Sequence, residues 1–234
     1  MSNIKVTVAM PAYNAANYVE DAIESVLAQD FDAFELIIID DGSSDGTGDK
    51  LACYTGHPCV HLAHHASNQG SGITRNRILE MARGEYFLPC DADDLLLPGA
   101  LQNLSQFLDD NHEFGVVYGD LLRLETEENT LQDPPSIIGV DAKQVWDLFE
   151  NAVNHGGSMM RTDLVRQVGG YAVGSVPDDW GLFLKLAETT RIHYLKGFVY
   201  YVWRLNAGSQ SQAPSWSEKS HLLIEAAIER RAKR

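Results

Sequence analysis

Basic residues are scarce in this chain of 234 residues: 18 Lys and Arg stand against 33 Asp and Glu, a formal net charge of −15. A field of that sign repels polyanions, so nucleic acid is excluded as the expected partner unless a local basic patch overcomes it. A nucleotide diphosphate is not excluded, because a divalent cation and a few arginines can hold it, and carboxylates are what such a cation needs. Cysteine is scarce as well. Cys53, Cys59 and Cys90 are odd in number, lack metal-site spacing and occur in a chain too large to need disulfide staples, so reduced thiols are expected. No apolar run reaches the ~20 residues of a membrane span, and Met1 to Met10 hold no charged stretch leading into a long apolar one. These absences make a cytoplasmic protein the expectation. No Gly-x-Gly-x-x-Gly stands between a strand and a helix, which excludes a dinucleotide-dependent dehydrogenase. A nucleotidyltransferase would need a Gly-rich phosphate loop after its first strand, and Pro11 to Asn14 contain no glycine.

What remains is ordinary globular composition, 44% apolar and 22% charged without a low-complexity tract, and a length that one α/β domain can hold. Lys5 to Ala9 reads as a short buried strand, followed by a turn at Pro11 to Asn14. In the next helix Val19, Ala22, Ile23, Val26 and Leu27 share a face, and Asn17 with Glu20 has capping-box spacing. Phe34 to Ile39 is apolar without alternation, the pattern of a strand covered on both faces. After the polar loop Asp40 to Gly48 come a short helix, a strand at Val60 to His65, a helix at Thr74 to Arg83, a strand at Glu85 to Pro89 and a helix at Pro98 to Leu108. Such alternation predicts an α/β fold with a mainly parallel sheet flanked by helices. Phe114 to Leu124 reads as a strand, and the acidic, proline-containing stretch Glu125 to Val140 as a loop of functional length. Helices are expected at Ala142 to Phe149, Thr162 to Gln167 and Trp180 to Glu188, with strands near Gly157 to Met160, Ile192 to Tyr194 and Val199 to Trp203. Ser215 to Arg234 reads as an amphipathic helix, with Ser215 and Glu218 at capping-box spacing and a basic end suited to its dipole.

Ligands of an open parallel sheet collect at the carboxyl ends of its strands, and two apolar strands here end in acids: Asp40-Asp41 and Asp91-Ala92-Asp93-Asp94. Asp91 and Asp93, one residue apart on an extended segment, share a side and can address one cation, and hard oxygen ligands favour Mg2+ or Mn2+. Asp94 is expected to cap the helix that follows, Asp45 to cap the short helix after the first acidic loop, and Asp40 can serve as a loop acceptor. Pro177-Asp178-Asp179-Trp180 precedes another helix; by these residues alone a cap and a general base are equal readings. His61, His64 and His65 show no closed ligand set, so core or edge-strand positions outweigh zinc.

Pro11-Ala12-Tyr13-Asn14, Asp40-Asp41-Gly42-Ser43-Ser44-Asp45, Asn68-Gln69-Gly70 with Arg75-Asn76, and Asp91-Ala92-Asp93-Asp94 together resemble the family 2 glycosyltransferases of the GT-A fold. Each motif is weak alone; their order and spacing make the resemblance specific. It implies a Rossmann-like, mixed but mainly parallel sheet and an inverting transfer of sugar from a nucleotide diphosphate donor, preferably a UDP-sugar. The receiving group would be a hydroxyl of a glycan or lipid-linked acceptor, with Mn2+ or Mg2+ as cofactor. The implied division is a nucleotide-binding half at 1–97, an acceptor-binding half at 98–214 and a C-terminal helix at 215–234.

On that resemblance Pro11, Ala12, Tyr13 and Asp41 frame the nucleobase, with Asp41 accepting from the ring imide of uracil, and Asn14, Asn68 and Ala92 line the donor site. For Tyr13, core packing is an equal reading. Arg75 would lie against base or diphosphate, Asp91 on the ribose or metal side, and Asp93 on the metal itself. Arg204 would either neutralise phosphate oxygens or form a surface salt bridge. Asp179 takes the position of the base, beside Trp180, with Asp178 where the family usually has Glu. His155-Gly156-Gly157-Ser158 resembles the small-residue segment on the acceptor side, where glycine lets a sugar approach the backbone, although a turn between helix and strand explains the glycines as well. Thr74 and Ile78 depart from the small residues usual on that helix. The chain lacks the Gln-x-x-Arg-Trp segment of processive synthases, so a single addition is expected. Arg230, Arg231, Lys233 and Arg234 read as a solvated helix end or as a contact with an anionic membrane surface. From another class, a catalytically silent sugar-nucleotide or glycan-binding module would keep the same acids.

Overall fold

In a computed structural model that describes residues 4–126, 130–132, 141–142, 153–174, 177–205 and 229–230, the chain is organised around its first strand, β1 (Val6–Ala12). The strand lacks polar alternation because it is covered on both faces and paired on both edges, parallel to β2 (Phe34–Asp40) and to β4 (Tyr86–Pro89). Outside β2 lies β3 (Val60–His64), also parallel. Beyond β4 the sheet continues through β8 (Met159–Arg161), β6 (Phe114–Glu125), β9 (Arg191–Leu205) and the short β5 (Leu95–Leu96), with β7 (Thr130–Gln132) on the far part of β6. The strands β8 and β5 run antiparallel to their neighbours, so the sheet is mixed and mainly parallel, as expected.

Successive residues of each central strand feed opposite layers. Val6, Val8, Met10, Leu36 and Ile38 join the core under α1 (Val19–Leu27) and α4 (Ala100–Asp110), while Ala9, Ile37 and Ile39 join the core under α3 (Ser71–Met81) and α6 (Asp178–Ala187). Two short helices, α2 (Thr47–Ala52) and α5 (Thr162–Gln167), fill the crossovers.

Several expectations need correction. Pro11 and Ala12 belong to β1, not to a turn: Pro11 pairs with Ile39 and Ala12 with Asp40, and the Ala12 carbonyl accepts from the Asp41 N–H at 2.8 Å. Asn17 does not cap α1, whose cap position is Tyr18 without a side-chain bond; instead the Ala15 carbonyl accepts from the N–H groups of Tyr18 and Val19, both at 2.9 Å. The two strands expected near 192 and 199 are one, β9, which stays paired with β6 through register shifts around Asp120. Gly197, at φ 82°, makes the kink, and its N–H is held by Asp120 Oδ2 at 2.8 Å. Within the loop expected at Glu125 to Val140, residues 130–132 form β7. Ala142 bridges to Ile192, while the rest of the helix expected at Ala142 to Phe149 lies outside the described residues. So does the tail helix with its Ser215–Glu218 box, except that residues 229–230 are helical and Arg230 Nη2 meets Glu188 at 2.8 Å.

Candidate active site

Because β2, β1 and β4 are parallel neighbours, Asp40-Asp41 and Asp91 emerge on one edge of the sheet, two strand spacings or about 10 Å apart. Asp41 is buried, 3% exposed, and fixes the loop ahead of α3: Oδ1 accepts from Gln69 N–H at 2.9 Å and meets His65 Nδ1 at 2.7 Å, while Oδ2 accepts from Gly70 N–H at 2.9 Å. Asp40 is the loop acceptor foreseen, taking Ser43 N–H at 3.0 Å and its hydroxyl at 2.5 Å. Asp45 binds at the start of α2 as expected, accepting from Thr47 N–H and hydroxyl, although Gly46 holds the cap position itself. Gly42 is required where it stands: at φ 74°, a Cβ there would lie 2.7 Å from the Ser67 backbone, so only glycine lets the two loops of this edge touch.

One turn into α3, Arg75 reaches across the edge. Its Nη2 donates to Asp91 Oδ1 and its Nη1 to Asp178 Oδ2, each at 2.6 Å, from a side chain 9% exposed. Burial works against the guanidinium charge, but Asp91 and Asp178 outweigh it and hold the group well above its ordinary value. Burial likewise opposes the Asp178 carboxylate, yet Arg75 and His155 keep it below the usual range. His155 is buried with Nε2 3.0 Å from the Tyr171 hydroxyl; burial and then Arg75 push its pKa down. Neither aspartate of the pair caps α6 through its side chain: Asp178 belongs to Arg75, and Asp179, half-buried on the first turn, accepts among the described residues from the adjoining Trp180 N–H at 2.7 Å.

Asp94 does not cap α4, which begins after Gly99 at φ 83°. It turns inward instead. Its Oδ2 accepts from the Tyr201 hydroxyl and its Oδ1 from the Arg204 N–H, both at 2.8 Å, while Tyr201 accepts from the Asp91 N–H at 3.0 Å. Burial, then Asp93 and Asp91, push its pKa well up. Gly156 and Gly157 also answer to Tyr201: a Cβ on Gly156 would lie 2.3 Å from the ring, and one on Gly157 2.9 Å from its Cβ. The glycines therefore admit a tyrosine where an approaching sugar was expected. Arg204 forms the salt bridge that was the alternative reading, its Nη2 2.9 Å from Oδ2 of exposed Asp21, while its own side chain is 9% exposed and its Cζ lies 5.5 Å from the Tyr18 ring centre.

At the mouth of the same edge, Tyr13 is 47% exposed and Asn68 is exposed, whereas Ala12 and Ala92 are buried and Pro11 and Trp180 half-buried. Asn14 adopts φ 50°, and its side chain accepts from Ser44 N–H at 3.0 Å, locking the first loop to the second. Among the described residues no three His, Cys, Asp or Glu side chains converge on a point that could hold a metal. Asp91 and Asp93, both half-buried, still fit Mg2+ or Mn2+, which commonly take one or two carboxylates and complete their shell with phosphate oxygens and water. His61 lies 3.4 Å from buried Glu35 on the edge strand, away from this centre. A surface cavity of ≈ 580 Å³ lined by His112, Arg161, Glu188 and Arg191 lies at the amino ends of β6 and β9, on the opposite edge. Tyr171, which meets His155 and Asn76, escaped sequence reading because its partners lie 16 and 95 residues away and no local motif marks it.

Residues 7–169 match the family model described as glycosyl transferase family 2. Over 111 residues the chain is 39% identical to the putative teichuronic acid biosynthesis glycosyltransferase TuaG of Bacillus subtilis strain 168, a match spanning 46% of this chain and 44% of that protein. Over 175 residues it is 32% identical to the putative glycosyltransferase EpsE of the same organism, across 73% of this chain and 61% of EpsE. The matches thus span less than two thirds of either relative. Among solved structures, S. aureus TarS 1-349 in complex with UDP-GlcNAc superimposes with a TM-score of 0.78 at 23% identity, over 94% of this chain and 65% of that one. The mannosyltransferase PcManGT of Pyrobaculum calidifontis, in complex with GDP-Man and Mn2+, gives 0.69 at 20% identity, over 98% and 64%. The fold is the GT-A arrangement of these enzymes.

Proposed function

Because the chain belongs to glycosyl transferase family 2, we propose that it moves a sugar from a nucleotide diphosphate donor to an acceptor hydroxyl with inversion, Asp179 serving as general base. The observation that carries this reading is the run of bonds from Asp41 through the start of α3 to Arg75, and from Arg75 to both Asp91 and Asp178. It gathers the tips of β2 and β4 and the first turn of α6 about one edge.

Asp93 and Asp91 would hold Mn2+ or Mg2+, an ion that when bound offsets charge on the diphosphate. Asp41 spends three acceptor positions on its own loops, leaving one at Oδ2 among the bonds described, enough for the single imide donor of uracil. The UDP-GlcNAc complex of TarS supports a uridine donor. Tyr13, exposed beside that loop, offers a face on which a base can stack. Asp179, tied to no cation by any bond described, is free to take the proton of an attacking hydroxyl, and the low dielectric around Asp178 and His155 strengthens that interaction. The division into a donor half at 1–97 and an acceptor half at 98–214 follows the same assignment, with Trp180 and His155 on the acceptor side. The relation to TuaG, named for teichuronic acid biosynthesis, supports a glycan as acceptor. No helix among the described residues is long and apolar enough to cross a membrane. We place the enzyme in the cytoplasm, its basic C-terminal residues meeting lipid-linked substrate at the membrane surface.

The test is a pair of substitutions assayed for binding and turnover separately. Asp93→Asn should weaken Mn2+-dependent UDP binding, while Asp179→Asn should abolish transfer and leave that binding intact. Full transfer by Asp179→Asn would show that the base lies elsewhere.

A further inference from the structure

Each terminal nitrogen of the buried Arg75 donates to a carboxylate of the protein, one on β4's acidic extension and one on the first residue of α6, 16 and 103 positions away in sequence. We propose that Arg75 is a positioning residue: it fixes the base-bearing start of α6 at a set offset from the metal-side carboxylate Asp91, and it does not itself touch the nucleotide. This inference rests on the glycosyl-transfer reading above.

The surroundings are built for such a part. Asn76, the next residue on α3, grips the segment before α6 at both backbone groups of Tyr171, its Nδ2 donating to the carbonyl at 3.0 Å and its Oδ1 accepting from the N–H at 2.8 Å. Gly72, one turn back, lies so close to that segment that a Cβ would come within 2.2 Å of the Ala172 carbonyl and 3.3 Å of Asp178 Cβ. The Tyr171 ring, 5.8 Å from Arg75 Cζ, closes one side of the guanidinium. Residues 72, 75 and 76 thus form one face on which residues 171, 172 and 178 are cast. Arginine meets the two carboxylates with two separate nitrogens held in a fixed planar fork, whereas lysine offers one nitrogen on a flexible stem and no such fixed geometry.

The arrangement also carries a sign. A guanidinium 2.6 Å from Asp91 partly satisfies that carboxylate and repels a second cation. If Arg75 bound the diphosphate, its loss would weaken metal–nucleotide binding; if it positions α6, its loss relieves Asp91 and leaves metal–nucleotide binding no weaker, while turnover collapses.

The experiment measures two quantities on the full chain: UDP binding by calorimetry across a Mn2+ titration, and kcat for transfer. For Arg75→Gln the half-saturating Mn2+ should be no higher than wild type and kcat should fall by about 100-fold or more. Arg75→Lys, which keeps the charge and most of the packing, should show the same split with a smaller loss, and it stands in if the glutamine variant fails to fold. Asp178→Asn should lower kcat too, and the double variant Arg75→Gln with Asp178→Asn should be little worse than either alone, since both break one link. A raised Mn2+ requirement in the arginine variants, or losses in kcat that multiply, would overturn the inference. A wild-type chain that neither binds UDP with Mn2+ nor transfers sugar would instead overturn the functional reading, and this one with it.

Discussion

The hydroxyl of Tyr201 donates to the buried Asp94 carboxylate at 2.8 Å, from a residue 107 positions further along the chain. The same oxygen accepts from the Asp91 N–H, so the acidic segment after β4 is pinned to β9 at two points by one side chain. The half-buried acids Asp91 and Asp93 therefore owe their placement to the buried Asp94.

Tyr201→Phe removes that oxygen and nothing else. It leaves a buried carboxyl oxygen and a backbone N–H without their partner, a defect worth about 1–3 kcal/mol. At roughly 2–4 °C per kcal/mol for a domain of this size, the melting temperature should fall by several degrees while the far-ultraviolet circular dichroism stays unchanged. A variant that melts with wild type would show that the Tyr201 bonds contribute nothing net.

Most of the scaffold was legible because its signals are local. The uninterrupted apolar runs of β1 and β2 announced strands covered on both faces, and the acids that close β2 and β4 emerge together on one edge of the sheet, as their strand-end positions require. What could not be read were long-range choices of partner. Asp94 and Asp178 look like helix caps in sequence, since an aspartate ahead of a helix usually is one; each has instead been drawn inward by Tyr201 or Arg75. Gly156-Gly157 signals close approach, and the sequence does not say that the approaching group is a tyrosine ring. The end of β1 was missed for a different reason: Pro11 looks like a turn former, but its carbonyl and the freedom of its neighbours are all that the strand end requires.

Gly156→Ala tests the tyrosine reading directly. The added methyl would fall 2.3 Å from Tyr201 Cε1, deep in van der Waals overlap, and a ring hydrogen-bonded at its hydroxyl cannot swing away. Overpacking of this kind costs typically about 1–3 kcal/mol. Combining it with Tyr201→Ala, which empties the space, should make the alanine at 156 nearly neutral relative to Tyr201→Ala alone. If Gly156→Ala were harmless to stability but blocked acceptor use, the glycine would face a substrate after all.

Asp41 should fail in two ways at once. Its carboxylate satisfies two backbone N–H groups ahead of α3 and holds His65. Asp41→Ala strips all three, and at about 1–3 kcal/mol for each buried donor left unmet the domain should lose several kcal/mol in urea unfolding. UDP binding should be lost with it. Asp179→Asn, whose side chain supports only the neighbouring N–H, should leave unfolding within about 0.5 kcal/mol of wild type. Equal destabilisation by the two would mean that Asp179 holds structure as firmly as Asp41.

Stability in acid should report on Asp109, at the far end of α4 from the ligand edge. Its carboxylate meets Lys5 Nζ at 2.6 Å and accepts from the Tyr86 hydroxyl at 2.7 Å. Burial opposes its charge, but the bonds to Lys5 and Tyr86 outweigh this and hold the group below its ordinary value of 3.8. A carboxylate whose pKa is lowered by folding stabilises the native state above its unfolded pKa, and that contribution fades as pH falls through the lowered, folded value. Asp109→Asn should therefore shift the urea midpoint downward at pH 7, and the gap from wild type should narrow steadily below about pH 4 as the wild-type carboxylate takes up its proton. The contrast is internal to the pair of proteins, so other acids that titrate in the same range cancel. A gap that stayed constant from pH 7 to the acid limit of folding would mean that Asp109 contributes through packing and not through its charge.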